Sequence, residues 1–162
     1  MTRLITLFLM LFSVSAVAQN LPSNFKQVTT HHWSAGHFDT AEQIQAVADQ
    51  GIDVVISLLS STEAKVDEAT LVGDAGMVFM NVPITNASEL TQSNVQIVAN
   101  ALKKAEGKNV LIHCASGNRV GAVMALKSAW IDGMPTAEAI AVGQAYGLTS
   151  LTNVVSDKLT RP

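Results

Sequence analysis

Two spacings of apolar residues alternate along the chain. Short uninterrupted runs rich in β-branched residues recur between stretches where apolar positions return every third or fourth residue. The first kind predicts strands buried on both faces, the second amphipathic helices. Residues 53–59 (DVVISLL), 77–84, which Pro83 stops, and 109–113 (NVLIH) are the predicted strands. Thr40-Ala41-Glu42-Gln43 has the form of a capping box, opening a helix with Ile44, Val47 and Ala48 inward and a stop at Gly51. Residues 62–74 predict a helix with Val66, Ala69 and Leu71 inward, ending near Gly76. Thr91 or Ser88 caps a longer one bearing Val95, Val98, Ala101 and Leu102, closed by Gly107. Helices at 119–131, from Thr136 and at 150–159 complete the chain; residues 19–34 read as a lead-in with one short strand near 26–30. Strands alternating with helices give an α/β fold with a mostly parallel central sheet flanked by helices.

The first residues stand outside this pattern. Arg3, the short apolar run 4–12 and Ala16-Val17-Ala18 have the charge, length and small-x-small ending of a secretory signal peptide. The run is shorter than the roughly 20 residues of a bilayer span, so no stable membrane span is expected once it is cleaved near Ala18; the alternative is an uncleaved anchor. Residues 19–162 then form one domain, exported to the periplasm or secreted. At 48% hydrophobic and 14% charged, the chain has the composition of a compact globular protein, and its net charge of −3 offers no footprint for nucleic acid.

A single cysteine, Cys114, excludes an internal disulfide. It lies in His113-Cys114-Ala115-Ser116-Gly117-Asn118-Arg119, between a predicted strand and a predicted helix, where parallel sheets bind their ligands. A helix N-terminus, loop amides and the Arg119 charge would favour the thiolate, the reactive form of cysteine. Gly117 permits a left-handed turn that lets successive N–H groups converge on an anion. Arg119 brings a planar fork suited to two oxygens of a tetrahedral ion. His113 is expected to orient the loop by hydrogen bonding, and Ser116 and Asn118 to brace it or touch the ligand. Taken alone, a buried structural cysteine is the ordinary alternative; the conjunction of residues argues for a site.

His-Cys-x-x-Gly-x-Arg after a buried strand resembles the signature loop of cysteine-dependent protein tyrosine and dual-specificity phosphatases. It is most similar to a bacterial branch, the phosphatase-like domain found alone or fused to β-lactamase-fold hydrolases. The resemblance spans residues 33–151, with Ser34-Ala35-Gly36, Val55-Ile56-Ser57-Leu58 and Val82-Pro83 as supporting pieces. It implies a hydrolase in which Cys114 attacks phosphorus to form a phosphocysteine. Arg119 and the amides of Ala115, Ser116, Gly117 and Asn118 would hold the phosphate, with no metal or other cofactor. The implied partner is a phosphorylated small molecule or protein.

Three features depart from the mainstream of that family. The interval from Cys114 to Arg119 is one residue shorter, as in the bacterial branch. Val120 stands where many relatives place a hydroxyl residue. The upstream stretch Thr85-Asn86-Ala87-Ser88-Glu89 has no Asp, leaving Glu89 as the candidate general acid. A cysteine, four residues and an arginine also form the active loop of rhodanese-like sulfurtransferases. Those carry a Gly-Gly after the loop and a late Trp; here Gly133-Met134-Pro135-Thr136 follows and Trp130 stands elsewhere. A third reading is a catalytically weak module that binds phosphate or another oxyanion. His31, His32 and His37 cluster without acidic or thiolate partners and predict no metal site, though one histidine could lie near the mouth of the site. Glu63, Asp67 and Glu68 read as a solvated helix face, Trp33 and Trp130 as core.

Overall fold

The structure is a computed structural model describing residues 20–160; the signal-peptide reading and its cleavage point lie outside the described residues. Five strands, β1 (Lys26–Gln27), β2 (His32–Ala35), β3 (Val54–Ser57), β4 (Val78–Asn81) and β5 (Val110–His113), form one sheet in the order β1-β2-β5-β3-β4. All neighbours run parallel except β1 against β2. Six helices flank it: α1 (Ala41–Ala48), α2 (Glu68–Asp74), α3 (Gln92–Lys104), α4 (Asn118–Trp130), α5 (Thr136–Tyr146) and α6 (Thr152–Thr160). No helix among the described residues is long and apolar enough to cross a membrane.

Alternation along the central strands divides the interior in two. Val54, Ile56, Val110 and Ile112 face a core shared with α3, α4, α5 and α6. Val55 and Leu111 face the opposite one, built with Phe38, Ile44, Val47, Val72 and Met77. Each fully buried branched side chain contributes about 1.5–3 kcal/mol, which is why β3 and β5 read so clearly as apolar runs.

Several expectations are corrected. The lead-in contains β2, which the sequence did not separate because His32-Trp33-Ser34-Ala35 has neither an apolar run nor alternation. β4 is an edge strand with Val78 53% exposed, because no strand among the described residues lies beyond it. In the capping box, Thr40 makes no side-chain cap bond, and Gln43 Oε1 accepts from the N–H of Asp39 instead. Thr91, not Ser88, caps α3 by accepting from Asn94 N–H. Thr136 is the first residue of α5, and Pro135 holds the cap position. Helix α2 starts at Glu68, six residues later than the pattern suggested: Asp67 accepts from Thr70 N–H, and the preceding residues form a turn held by Ser60. Its buried residues are Glu68 and Val72, whereas Ala69 is exposed.

Register fixes what meets at the carboxyl edge of the sheet. Ala35 and Ser57 both lie opposite His113, so the segments leaving β2, β3 and β5 emerge side by side.

Candidate active site

The chain leaving β5 turns sharply and enters α4. Gly117 takes φ +91 at the turn, a left-handed conformation that a Cβ disfavours. The amide of Gly117 donates to Cys114 Sγ at 3.1 Å. Cys114 is 1% exposed, its sulfur lying at the floor of the loop while Ala115 and Ser116 are exposed at the rim. A cavity of about 450 Å³ is lined by Ser116 and Gly117 of the loop together with Asn24 and Tyr146, and another of about 460 Å³ by Ser60, Glu68 and Asn81.

Arg119, 11% exposed, is held from a distant part of the sequence. Its Nη1 donates to Ile84 O at 2.7 Å and to Glu63 Oε2 at 3.2 Å, and its Nη2 donates to Glu63 Oε1 at 2.8 Å. Ser60 donates to the same carboxylate through its N–H and its hydroxyl. The Arg119 fork first, and then Ser60, hold the Glu63 carboxyl below the usual glutamate range. A guanidinium has five N–H bonds. Three are taken in this way, which leaves Nε–H and one hydrogen of Nη2 for a ligand.

His113 differs from its expected role. Its ring is fully buried, 4.8 Å from the Phe38 ring centroid and 3.4 Å from Glu68 Oε2, and neither ring nitrogen makes a hydrogen bond. It supports the loop from below by packing against Phe38. Asn118 braces: its Oδ1 accepts from Thr149 N–H at 2.8 Å and its Nδ2 donates to Ser150 at 2.7 Å, tying the loop to the turn between α5 and α6. That turn approaches because Gly121 and Gly143 bring α4 and α5 backbone to backbone; a Cβ on Gly121 would stand 2.6 Å from Gly143 O. Val120 is fully buried in the core cluster that also contains Cys114.

Glu89 lies in a 3₁₀ turn, Ala87–Glu89, and its carboxylate accepts from Thr85 N–H at 2.5 Å and from the Thr85 hydroxyl at 3.0 Å. Those bonds lower its pKa, the reverse of what a general acid requires. Of Glu63, Asp67 and Glu68, Asp67 alone is exposed to solvent, where it caps α2; Glu63 holds Arg119, and Glu68 is buried beside His113. The three early histidines take separate partners, His31 on Asn109, His32 on Tyr146 and His37 on Ala115. The sequence offered no local signal for Glu63, which is 56 residues from its arginine.

Residues 33–132 match the family described as "Polymorphic toxin system, DSP-PTPase phosphatase". The chain belongs to this DSP-PTPase phosphatase family. It is therefore a hydrolase of the cysteine-dependent phosphatase class, a phosphomonoesterase. No curated protein matches the chain. Among solved structures, a candidate phosphatase of the DUF442 group from Shewanella putrefaciens CN-32 is 22% identical, with a TM-score of 0.65 over 86% of this chain and 92% of that one. One from Neisseria meningitidis Z2491 is 24% identical, with a TM-score of 0.69 over 82% and 94%. TpbA of P. aeruginosa is 19% identical, with a TM-score of 0.66 over 86% and 85%, and has also been solved in complex with phosphotyrosine. These likenesses establish a phosphatase-type fold for this DSP-PTPase family member.

Proposed function

We propose that this phosphatase hydrolyses a phosphoester through a phosphocysteine on Cys114, with Arg119 and the amides of residues 115–119 binding the phosphate. The observation that carries the reading is the Gly117 N–H directed at the Cys114 sulfur, 3.1 Å away, at the head of α4. Amides converging on one point at a helix N-terminus stabilise an anion there, first a thiolate and then phosphoryl oxygens. In the first step the sulfur attacks phosphorus, an S–P bond forms, and the ester P–O bond breaks with its electron pair leaving on oxygen. In the second, water attacks phosphorus, the S–P bond breaks, the thiolate returns and inorganic phosphate departs with the water's oxygen.

The substrate class the site favours is an aryl phosphate, on a small molecule or on tyrosine. An aryl oxygen is a good leaving group, and Glu89 is held as a carboxylate rather than as an acid. TpbA, of the same fold, has been solved with phosphotyrosine. The signal-like residues 1–18 support export to the periplasm or beyond, and N-terminal sequencing of the protein recovered from its native compartment tests this: a start near Gln19 is expected, and an intact Met1 would contradict it.

Replacing Cys114 by Ser should abolish turnover of p-nitrophenyl phosphate while leaving affinity for inorganic phosphate within about threefold, since hydroxyl and thiol occupy similar space. Replacing Arg119 by Lys should damage both, because a point charge cannot reproduce the fork. Retained turnover in the Ser variant, or thiocyanate formation from thiosulfate and cyanide at a comparable rate, would overturn the proposal.

A further inference from the structure

How well a loop binds an oxyanion depends on which way its peptide groups point. In a trans peptide the C=O and the following N–H are antiparallel, so a carbonyl tied outward turns the next N–H inward. Two consecutive carbonyls of this loop are tied outward by residues from far upstream. Ala115 O accepts from His37 Nδ1 at 2.9 Å and from the His37 N–H at 3.3 Å. Ser116 O accepts from Asn24 Nδ2 at 3.1 Å. The next carbonyl, that of Gly117, is already engaged by Gly121 N–H as a helix bond. The consequence is visible at Gly117, whose N–H, on the peptide that Asn24 holds, is the one that reaches the Cys114 sulfur.

We infer that Asn24 and His37 are positioning residues of the oxyanion cradle, fixing the Ser116 and Gly117 N–H groups inward by binding the carbonyls behind them. This rests on the phosphate-loop reading above and extends it to residues outside the signature motif and, for Asn24, outside the family match.

The surroundings of both residues are built for the task. Asn24 has φ +57, the one non-glycine left-handed residue among those described. Asn tolerates that region better than most residues do, and here it aims the side-chain amide at the loop. The segment is clamped to the end of β2 by Gly36 N–H donating to Ser23 O at 2.6 Å. A Cβ on Gly36 would collide with the Ser23 hydroxyl and stand 3.1 Å from Ala115 O and Ser23 O, so a side chain there would have to push the segment and the loop apart. His37 is steered from its other side: Nε2 is 3.1 Å from Asp39 Oδ1, and Lys65 Nζ holds the same oxygen at 2.6 Å. A carbonyl oxygen only accepts, so His37 Nδ1 carries the hydrogen of the bond to Ala115.

The test uses the full chain with inorganic phosphate as the probe, binding followed by calorimetry and by protection of Cys114 from iodoacetamide. Asn24→Asp keeps shape and loses the donor; Asn24→Gly loses the donor and relieves the left-handed backbone without adding charge. His37→Leu removes the ring donor, and His37→Asn restores an amide where Nδ1 stood. Asn24→Asp, Asn24→Gly and His37→Leu should each weaken phosphate binding by about threefold to tenfold, the span expected for one positioned hydrogen bond. His37→Asn should recover most of that loss, and melting temperatures should stay near that of the unaltered protein. Unaltered binding in Asn24→Gly would reduce Asn24 to a turn residue, and failure of His37→Asn to rescue would assign the ring to packing; either overturns the inference. Losses matched by an equal fall in melting temperature would also overturn it, by placing both residues in stability alone. If the unaltered protein fails to bind phosphate or to be protected by it, the fault lies with the phosphate-loop reading itself.

Discussion

Replacing Glu63 by Gln separates the placement of Arg119 from its charge. The carboxylate receives two hydrogen bonds from the guanidinium, at 2.8 and 3.2 Å, and two more from Ser60. A glutamine keeps one acceptor but turns an N–H₂ group toward a donor, so one charge-assisted bond is lost and two donors oppose each other. Such a bond is worth about 1.5–3 kcal/mol when shielded from water. Glu63 is 31% exposed, which lowers the figure to about 1–2 kcal/mol. Expressed in the transition state, that loss slows kcat by roughly 5-fold to 30-fold. The lost negative charge acts in the opposite sense on binding, since it no longer repels a phosphate dianion. Steady-state kinetics on p-nitrophenyl phosphate should therefore show a lower kcat with a KM that is unchanged or reduced. A kcat within about twofold of the unaltered enzyme would mean that Ile84 O and the helix place the fork unaided, and would refute the reasoning.

Other consequences follow from the same geometry. Gly121→Ala places a Cβ against the backbone of Gly143 and Leu148 and should destabilise the fold by about 3 kcal/mol, read by denaturant unfolding; a loss below about 0.5 kcal/mol would contradict the α4–α5 approach. Glu63 has a pKa depressed below 4.5 in the folded state, so its pairing stabilises the protein above that pH and is lost as pH falls through the depressed value. The Glu63→Gln variant should accordingly lose less melting temperature on acidification than the unaltered protein, and parallel curves would argue against the pairing. With Glu89 held as a carboxylate, hydrolysis should depend steeply on the leaving group. p-Nitrophenyl phosphate should turn over more than about 100-fold faster than phenyl phosphate, the scale of a missing acid; equal rates would reveal a working acid.

The parts of the fold legible in the sequence are those where one physical rule acts alone. Strands β3 and β5 are buried on both faces, so burial demanded the apolar runs that announced them. Helix α3 carries its apolar residues on one stripe and was placed by period and cap. The loop from Cys114 to Arg119 was legible because its chemistry is contiguous. Strand β2 was not, since His32 and Trp33 are only partly buried and the strand owes its place to pairing with β5. The residues that hold the loop were equally hidden. Glu63 sits among charges that looked like a helix face, Asn24 in a lead-in without pattern, and His37 in a histidine cluster that suggested nothing shared. Each acts through a partner more than 50 residues away, and no local spacing encodes such a contact. Glu68 was misread for the same reason, since the His113 ring it lies against belongs to a strand far along the chain.

The central claim is that the Cys114 sulfur takes up the phosphoryl group. Rapid mixing with p-nitrophenyl phosphate, an acid quench and mass spectrometry of the Cys114 peptide measure it directly. A single acid-labile phosphoryl adduct on that peptide is expected, appearing with the first turnover and missing from Cys114→Ser. Turnover without any adduct on Cys114, or an adduct carried by another residue, would contradict the account.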